Sequence, residues 1–167
     1  SILAVTSADG HEGFELISAL LKAPSAVHVR AIVANITSAI AQTLAKQGCT
    51  LRLEGAPDAF IGASSALILP PLTADRLQRG TAAIAEAAAA RVPAAYLLSV
   101  IGADSPSAPS SLGDYGKLEQ TLRTAFSSRS VILRTFFYSS NLLLWASDVQ
   151  RARALRLPLP SDACLAP

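Results

Sequence analysis

Short apolar runs alternate along this chain with segments whose apolar residues recur at helical spacing. That alternation restricts the fold more than any other feature. Ile2–Val5 is the first apolar run, and Phe14, Leu16, Ile17, Leu20 and Leu21 after it share one helix face that ends near Pro24. Val27–Val33 alternates and is β-branched, which reads as a second strand. Residues 36–47 read as a second helix closed by Gly48, and Cys49–Leu53 as a third strand. Ala66–Leu69 is a fourth strand, ended by Pro70 and Pro71. Thr73, with Asp75 nearby, is expected to cap a long Ala-rich helix reaching about Arg91, whose low polarity predicts packing on more than one side. Ala94–Val100 is a fifth strand, residues 101–112 a loop, and Asp114–Phe126 a helix with Leu118 and Leu122 inward. Val131–Leu133 is a sixth strand, and Tyr138–Leu155 a last helix with Leu142, Leu143, Trp145, Val149 and Leu155 as candidate core. Strand and helix alternating in this way predict an α/β class with a doubly wound, mostly parallel sheet and helices on both faces. One link breaks the rhythm. A parallel crossover normally needs a dozen residues or more, and residues 54–65 leave room for about one helical turn near Pro57–Ile61.

A chain of 167 residues is enough for one domain with a sizeable core, so residues 1–167 are read as a single domain. No apolar run reaches the length of a membrane span. A net charge of +2, with no basic cluster interleaved with aromatics, gives no case for nucleic acid. Cys49 and Cys164 show no metal-ligand spacing and no CxxC; they read as reduced thiols, and no metal site is expected. The sequence contains no Met, so Ser1 is not expected to be a translation start. No grouping of Ser, His and Asp for nucleophilic catalysis is visible.

The turn after the first strand carries the chemistry. Gly10 and Gly13 stand three apart, like the last two glycines of G-x-G-x-x-G; the first glycine position falls on Ala8, or on Ser7 in the extended spacing. The second glycine lets backbone approach a pyrophosphate, and the third lets the helix pack close to the strand. The helix N-terminus then offers amides and a partial positive charge to phosphate. A tight strand-to-helix connection with nothing bound gives the same pattern. The end of the second strand, Ala34-Asn35, carries neither the acid that grips ribose hydroxyls nor the Arg that meets a 2′-phosphate, so the sequence does not choose between NAD and NADP.

Five pieces, in order, carry a resemblance: VTSADGHEG at 5–13, VRAIV at 29–33, LPP at 69–71, LLSVIGAD at 97–104, and KLEQTL to VILRTFFYSSNLL between Lys117 and Leu143. The chain resembles the NmrA-like branch of the atypical short-chain dehydrogenase/reductases. The resemblance implies an NAD(P)-binding Rossmann domain topped by a smaller C-terminal lobe. It places Thr6, Ser7, Asp9, Gly10, His11, Glu12 and Gly13 at the pyrophosphate and Asn35 at the ribose. Leu69 and Pro70 would flank the adenosine half, Ser99 and Lys117 would approach the nicotinamide ribose, and Phe136, Phe137 and Asn141 would line the substrate cleft. The departures are Ser7 for the first glycine, Ala34 for an Arg, Ala56 for an acid, Thr135 for a proline, and an end where the family runs on into its lobe.

Reductases of this class place a Tyr four residues before a Lys, so that the ammonium lowers the phenol's pKa. Four before Lys117 stands Gly113; Tyr115 points elsewhere. No catalytic residue is therefore assigned. Lys117 reads equally as a solvated surface Lys, His11 as a helix-start residue, His28 as structural, and Arg134 as a partner for Glu119 or for a ligand. Two functions follow from the resemblance. One is a non-catalytic module that holds NADP or NAD, or no longer holds it, inside a larger assembly of protein subunits such as a mitochondrial respiratory complex. The other is an NAD(P)H-dependent reductase of a quinone or small carbonyl compound. The expected location is a reducing compartment, mitochondrial matrix or cytoplasm.

Overall fold

The computed structural model describes residues 1–24, 27–106, 110–135 and 150–151. The chain divides into two compact units, Ser1–Thr135 and Phe136–Pro167. In the second unit only Gln150 and Arg151 are described, and both are helical. The first unit runs β1 (Ile2–Val5), α1 (His11–Lys22), β2 (His28–Val33), α2 (Ala39–Lys46), β3 (Thr50–Leu53), β4 (Ser65–Ile68), α3 (Arg76–Ala89), β5 (Ala95–Val100), α4 (Ser110–Phe126) and β6 (Ser130–Thr135). The strands form one sheet in the order β3-β2-β1-β4-β5-β6, every pair parallel. The order reverses between β1 and β4, where Val5 pairs with Ala31 on one side and Leu67 on the other. Ligands of open α/β sheets bind at the carboxyl ends of the strands beside such a reversal.

Alternation along each strand divides the core in two. Val5, Val29, Ala31, Val33 and Leu67 join Ile17 of α1 and Leu44 of α2 on one face. Ala4, Ile32, Ile68 and Leu97 join Ile84 of α3 and Leu118, Leu122 and Phe126 of α4 on the other. Each fully buried Ile or Leu contributes roughly 1.5–3 kcal/mol, so both layers are needed to hold the sheet. The β3–β4 link forms no helix. Successive tight turns run from Ala56 to Ala63, and Ala59, Phe60 and Ala63 fill the space a crossover helix would occupy. Arg30, buried on β2, fastens this link by donating to the carbonyls of Ala59 (3.2 Å) and Ile61 (2.7 Å).

Three helix starts differ from the sequence reading, among them α4, which begins at Ser110 inside the expected loop and not at Asp114. α2 begins at Ala39, not residue 36, because Asn35 accepts from the Thr37 amide and Ser38 accepts from Ala41 as N-cap. Asp75, not Thr73, holds the N-cap position of α3 without a capping side-chain bond; the Thr73 hydroxyl is turned onto the Asp75 carboxylate. Gly48 does close α2, at a φ of +99°. Among the described residues no helix is long and apolar enough to cross a membrane.

Candidate functional site

The β1–α1 turn lies at the reversal point. Thr6 locks β1 to β4: its hydroxyl donates to the Leu69 carbonyl (3.3 Å) and accepts from the Leu69 amide (2.8 Å). Thr6 and Leu69 thus fix the floor of the crevice, with Pro70 buried beside them. Ser7 adopts a left-handed backbone at φ 47°, the conformation a glycine takes at little cost, and its carbonyl accepts from the Gly10 amide. Gly13 sits directly beneath this turn. A Cβ there would run into the Ser7 carbonyl oxygen and lie 2.8 Å from the Ala8 Cα. No side chain caps α1 at Gly10, and the first α-helical bond runs from Phe14 to Gly10. The amides of the first turn, at His11, Glu12 and Gly13, therefore have no intrahelical partner and stand at the positive end of the helix dipole. His11 is exposed, and Glu12 supplies the acid of this first turn.

Asp9 turns sideways instead of along the helix axis. Its carboxylate accepts from the amides of Ala34 (3.2 Å) and Asn35 (3.3 Å) at the end of β2. The Asn35 carbonyl oxygen of the side chain is itself engaged, accepting from the Thr37 amide and hydroxyl. Beyond them the crevice is lined by Thr6, Ser7, Leu69, Pro71, Glu54 after β3, and Arg79 and Glu86 of α3. Arg79 grips Glu54 with two bonds, Nε to Oε1 (2.8 Å) and Nη2 to Oε2 (2.5 Å). The Glu54 carboxylate raises the Arg79 pKa, and burial aided by the Glu54 charge pushes the Glu86 carboxyl up.

The β5–α4 side departs from the sequence reading. Ser99 is 0% exposed and donates its hydroxyl to Glu119 Oε1 (2.7 Å), so it faces the α4 layer and not a substrate. Lys117 lies on the outer face of α4, its side chain 66% exposed and 3.6 Å from Asp114. The α4 residue that meets Ser99 is Glu119, two positions on and turned to the other side of the helix. Tyr115 and Glu119, one turn apart, hold the inward face, with the Arg76 guanidinium 5.5 Å from the Tyr115 ring. Glu119 accepts from Arg134 Nε (2.8 Å) and Nη2 (2.7 Å), and Arg134 reaches on to Asp104 (2.8 Å). Of the two partners the sequence allowed Arg134, Glu119 is the one it has. Phe136, Phe137 and Asn141 lie outside the described residues.

No family model and no curated protein matches the sequence. Solved structures do. An NADPH-dependent quinone oxidoreductase of Escherichia coli, complexed with NADPH, superposes with a TM-score of 0.76 at 27% identity, covering 92% of this chain and 55% of its own. A triphenylmethane reductase of Citrobacter sp., complexed with NADP(H), matches with a TM-score of 0.75 at 24% identity over 90% of this chain and 55% of that one. A nucleoside-diphosphate-sugar epimerase of Staphylococcus aureus matches at 0.74 and 16% identity, a likeness of fold. The chain is similar to NAD(P)-binding reductases and epimerases of the atypical short-chain dehydrogenase/reductase type. It spans about half the length of the solved relatives it matches. A Rossmann-like parallel sheet, a glycine turn and an α1 without a side-chain cap are all present in Ser1–Thr135.

Proposed function

We propose that this chain binds a nicotinamide dinucleotide, NAD or NADP, along the carboxyl ends of β1, β4 and β5. One observation carries the reading: an α1 N-terminus with no side-chain cap, kept clear by Gly13, at the point where the strand order reverses. The residues fit the group. First-turn amides are the donors a pyrophosphate requires, and the missing Cβ at Gly13 lets α1 start close beneath the β1 turn. Thr6, Leu69 and Pro70 shape the floor and Asn35 borders the ribose end.

The solved relatives that share this frame include reductases named for NADPH and for quinone, and that supports a reductase of a quinone or a similarly conjugated acceptor. The dinucleotide supplies the hydride in such a reaction. The chain's own residues bind and orient. Among the described residues of β5 and α4, Ser99 is enclosed and bonded to Glu119 and Lys117 faces outward, so neither is placed as a proton donor at the nicotinamide end. An acceptor whose reduced form takes its proton from water suits that arrangement; a simple ketone does not.

The same observation favours a second reading, a cofactor-holding subunit without turnover inside a larger assembly, of which a mitochondrial respiratory complex is one form. Mixing the chain with NADH or NADPH and a soluble quinone under anaerobic conditions separates the two. Quinone-dependent loss of nicotinamide absorbance supports the reductase; nucleotide bound with no loss supports the holder. No binding of either nucleotide overturns both.

A further inference from the structure

The end of β2 bears on the choice between NAD and NADP that the sequence left open. Asp9 brings a carboxylate from the β1–α1 turn onto the amides of Ala34 and Asn35, at 3.2 and 3.3 Å. A dinucleotide fold meets the adenosine ribose at this strand end, and a carboxylate here accepts from ribose hydroxyls but opposes a 2′-phosphate. In most such folds that acid belongs to the second strand itself. Here the strand ends in Ala34 and Asn35, both exposed, and the acid arrives from a position 25 residues earlier.

The donors a phosphate would need are already used. The amides of Ala34 and Asn35 donate to Asp9, the Thr37 amide and hydroxyl to the Asn35 side-chain oxygen, and the Ser38 amide to the Asn35 carbonyl, so the backbone donors nearest the strand end are engaged. The charged side chains around the strand end give no compensating cation. Arg79 feels Asp9 electrostatically but is committed through two bonds to Glu54, and Arg52 is paired with Asp58 at 2.7 Å. A 2′-phosphate at the strand end would meet the Asp9 carboxylate.

We infer that the ribose end of the crevice selects NAD(H) over NADP(H), with the Asp9 carboxylate, seated on the β2-end amides, as the selecting group. The inference rests on the binding reading above and adds the choice of nucleotide. It sets this chain apart from the solved relatives that carry NADP(H).

The test is direct titration with NADH and with NADPH, followed by nicotinamide fluorescence and calorimetry, on the chain and on two variants. The unaltered chain is expected to bind NADH at least about tenfold more tightly, since like-charge juxtaposition at an interface is strongly penalised. The gap should narrow as salt rises, because the partly exposed charges are screened. Asp9→Asn keeps an oxygen for the amides and removes the charge; it should strengthen NADPH binding roughly tenfold while NADH binding changes little. Ala34→Arg, at an exposed position, should shift the ratio the same way. Equal or tighter binding of NADPH by the unaltered chain overturns the inference, and so does a ratio that neither variant moves. Both of those results leave dinucleotide binding intact. Failure to bind either nucleotide overturns the binding reading instead.

Discussion

Gly13 is the residue on which the proposed site depends most directly. Its missing Cβ is the clearance that lets α1 start under the Ser7 carbonyl. Gly13→Ala should cost about 1–3 kcal/mol in a urea titration, the range for forcing atoms into a packed space, and should abolish nucleotide binding. Gly10→Ala should cost less than half of that, since its Cβ would stand 3.2 Å from the same oxygen. Equal losses would show that the turn does not depend on the close approach. Ser7→Gly should raise stability by up to about 1 kcal/mol, because a left-handed backbone strains any residue with a Cβ. These positions were legible because glycine spacing encodes backbone clearance. The reach of Asp9 was not. Its direction depends on where β2 ends, and nothing local to residues 5–13 encodes that.

At the level of elements, α4 shows where periodicity helps and where it stops. Leu118 and Leu122 were placed inward by their spacing, and both are buried. Lys117 was expected at the nicotinamide through resemblance alone, yet it follows the outward face. Glu119, its side chain only 1% exposed, joins α4 to β5 and β6 through Ser99 and Arg134. Burial alone would raise its pKa, but the bonds from Arg134 and Ser99 and the charges of Arg134 and Arg123 outweigh that and hold it below the ordinary 4.5. The unfolded chain therefore takes up this proton first as pH falls. The stabilisation is complete above pH 4.5 and is lost as pH drops through the lower, folded value. Asp104, held down by its bond from Arg134, adds to the loss in the same direction. Glu119→Gln should cost roughly 3 kcal/mol at neutral pH, since it leaves Arg134 short of a buried partner. It should also flatten the acid limb of a plot of stability against pH; an unchanged limb would show that Glu119 does not hold this corner. Lys117→Ala should stay within about 0.5 kcal/mol of the parent and leave nucleotide affinity unchanged. A loss of affinity in that variant would restore Lys117 to the site.

Across the whole molecule, the alternation of strands and helices was enough to give the layered α/β class, because each buried strand needs cover on both faces. It was not enough to give the order β3-β2-β1-β4-β5-β6, which depends on pairings between strands distant in sequence. That order makes the candidate site a joint between two halves. β1, α1, β2 and α2 contribute the uncapped amides and the Asp9 carboxylate, while β4 and α3 contribute Leu69, Pro71 and Arg79. A ligand that bridges both halves must stabilise the folded unit as a whole, since the unfolded chain has no such crevice. At a concentration a hundred times its dissociation constant the gain is about 2.7 kcal/mol, which for a chain of this size raises Tm by roughly 5–10 °C. NADH should therefore raise Tm more than NADPH at equal concentration, and Asp9→Asn should close the difference. Gly13→Ala should show no shift with either nucleotide, even when compared at temperatures where it is still folded. Should both nucleotides still raise Tm in Gly13→Ala, binding would not run through the β1–α1 turn, and the joint between the two halves would lie elsewhere on the sheet.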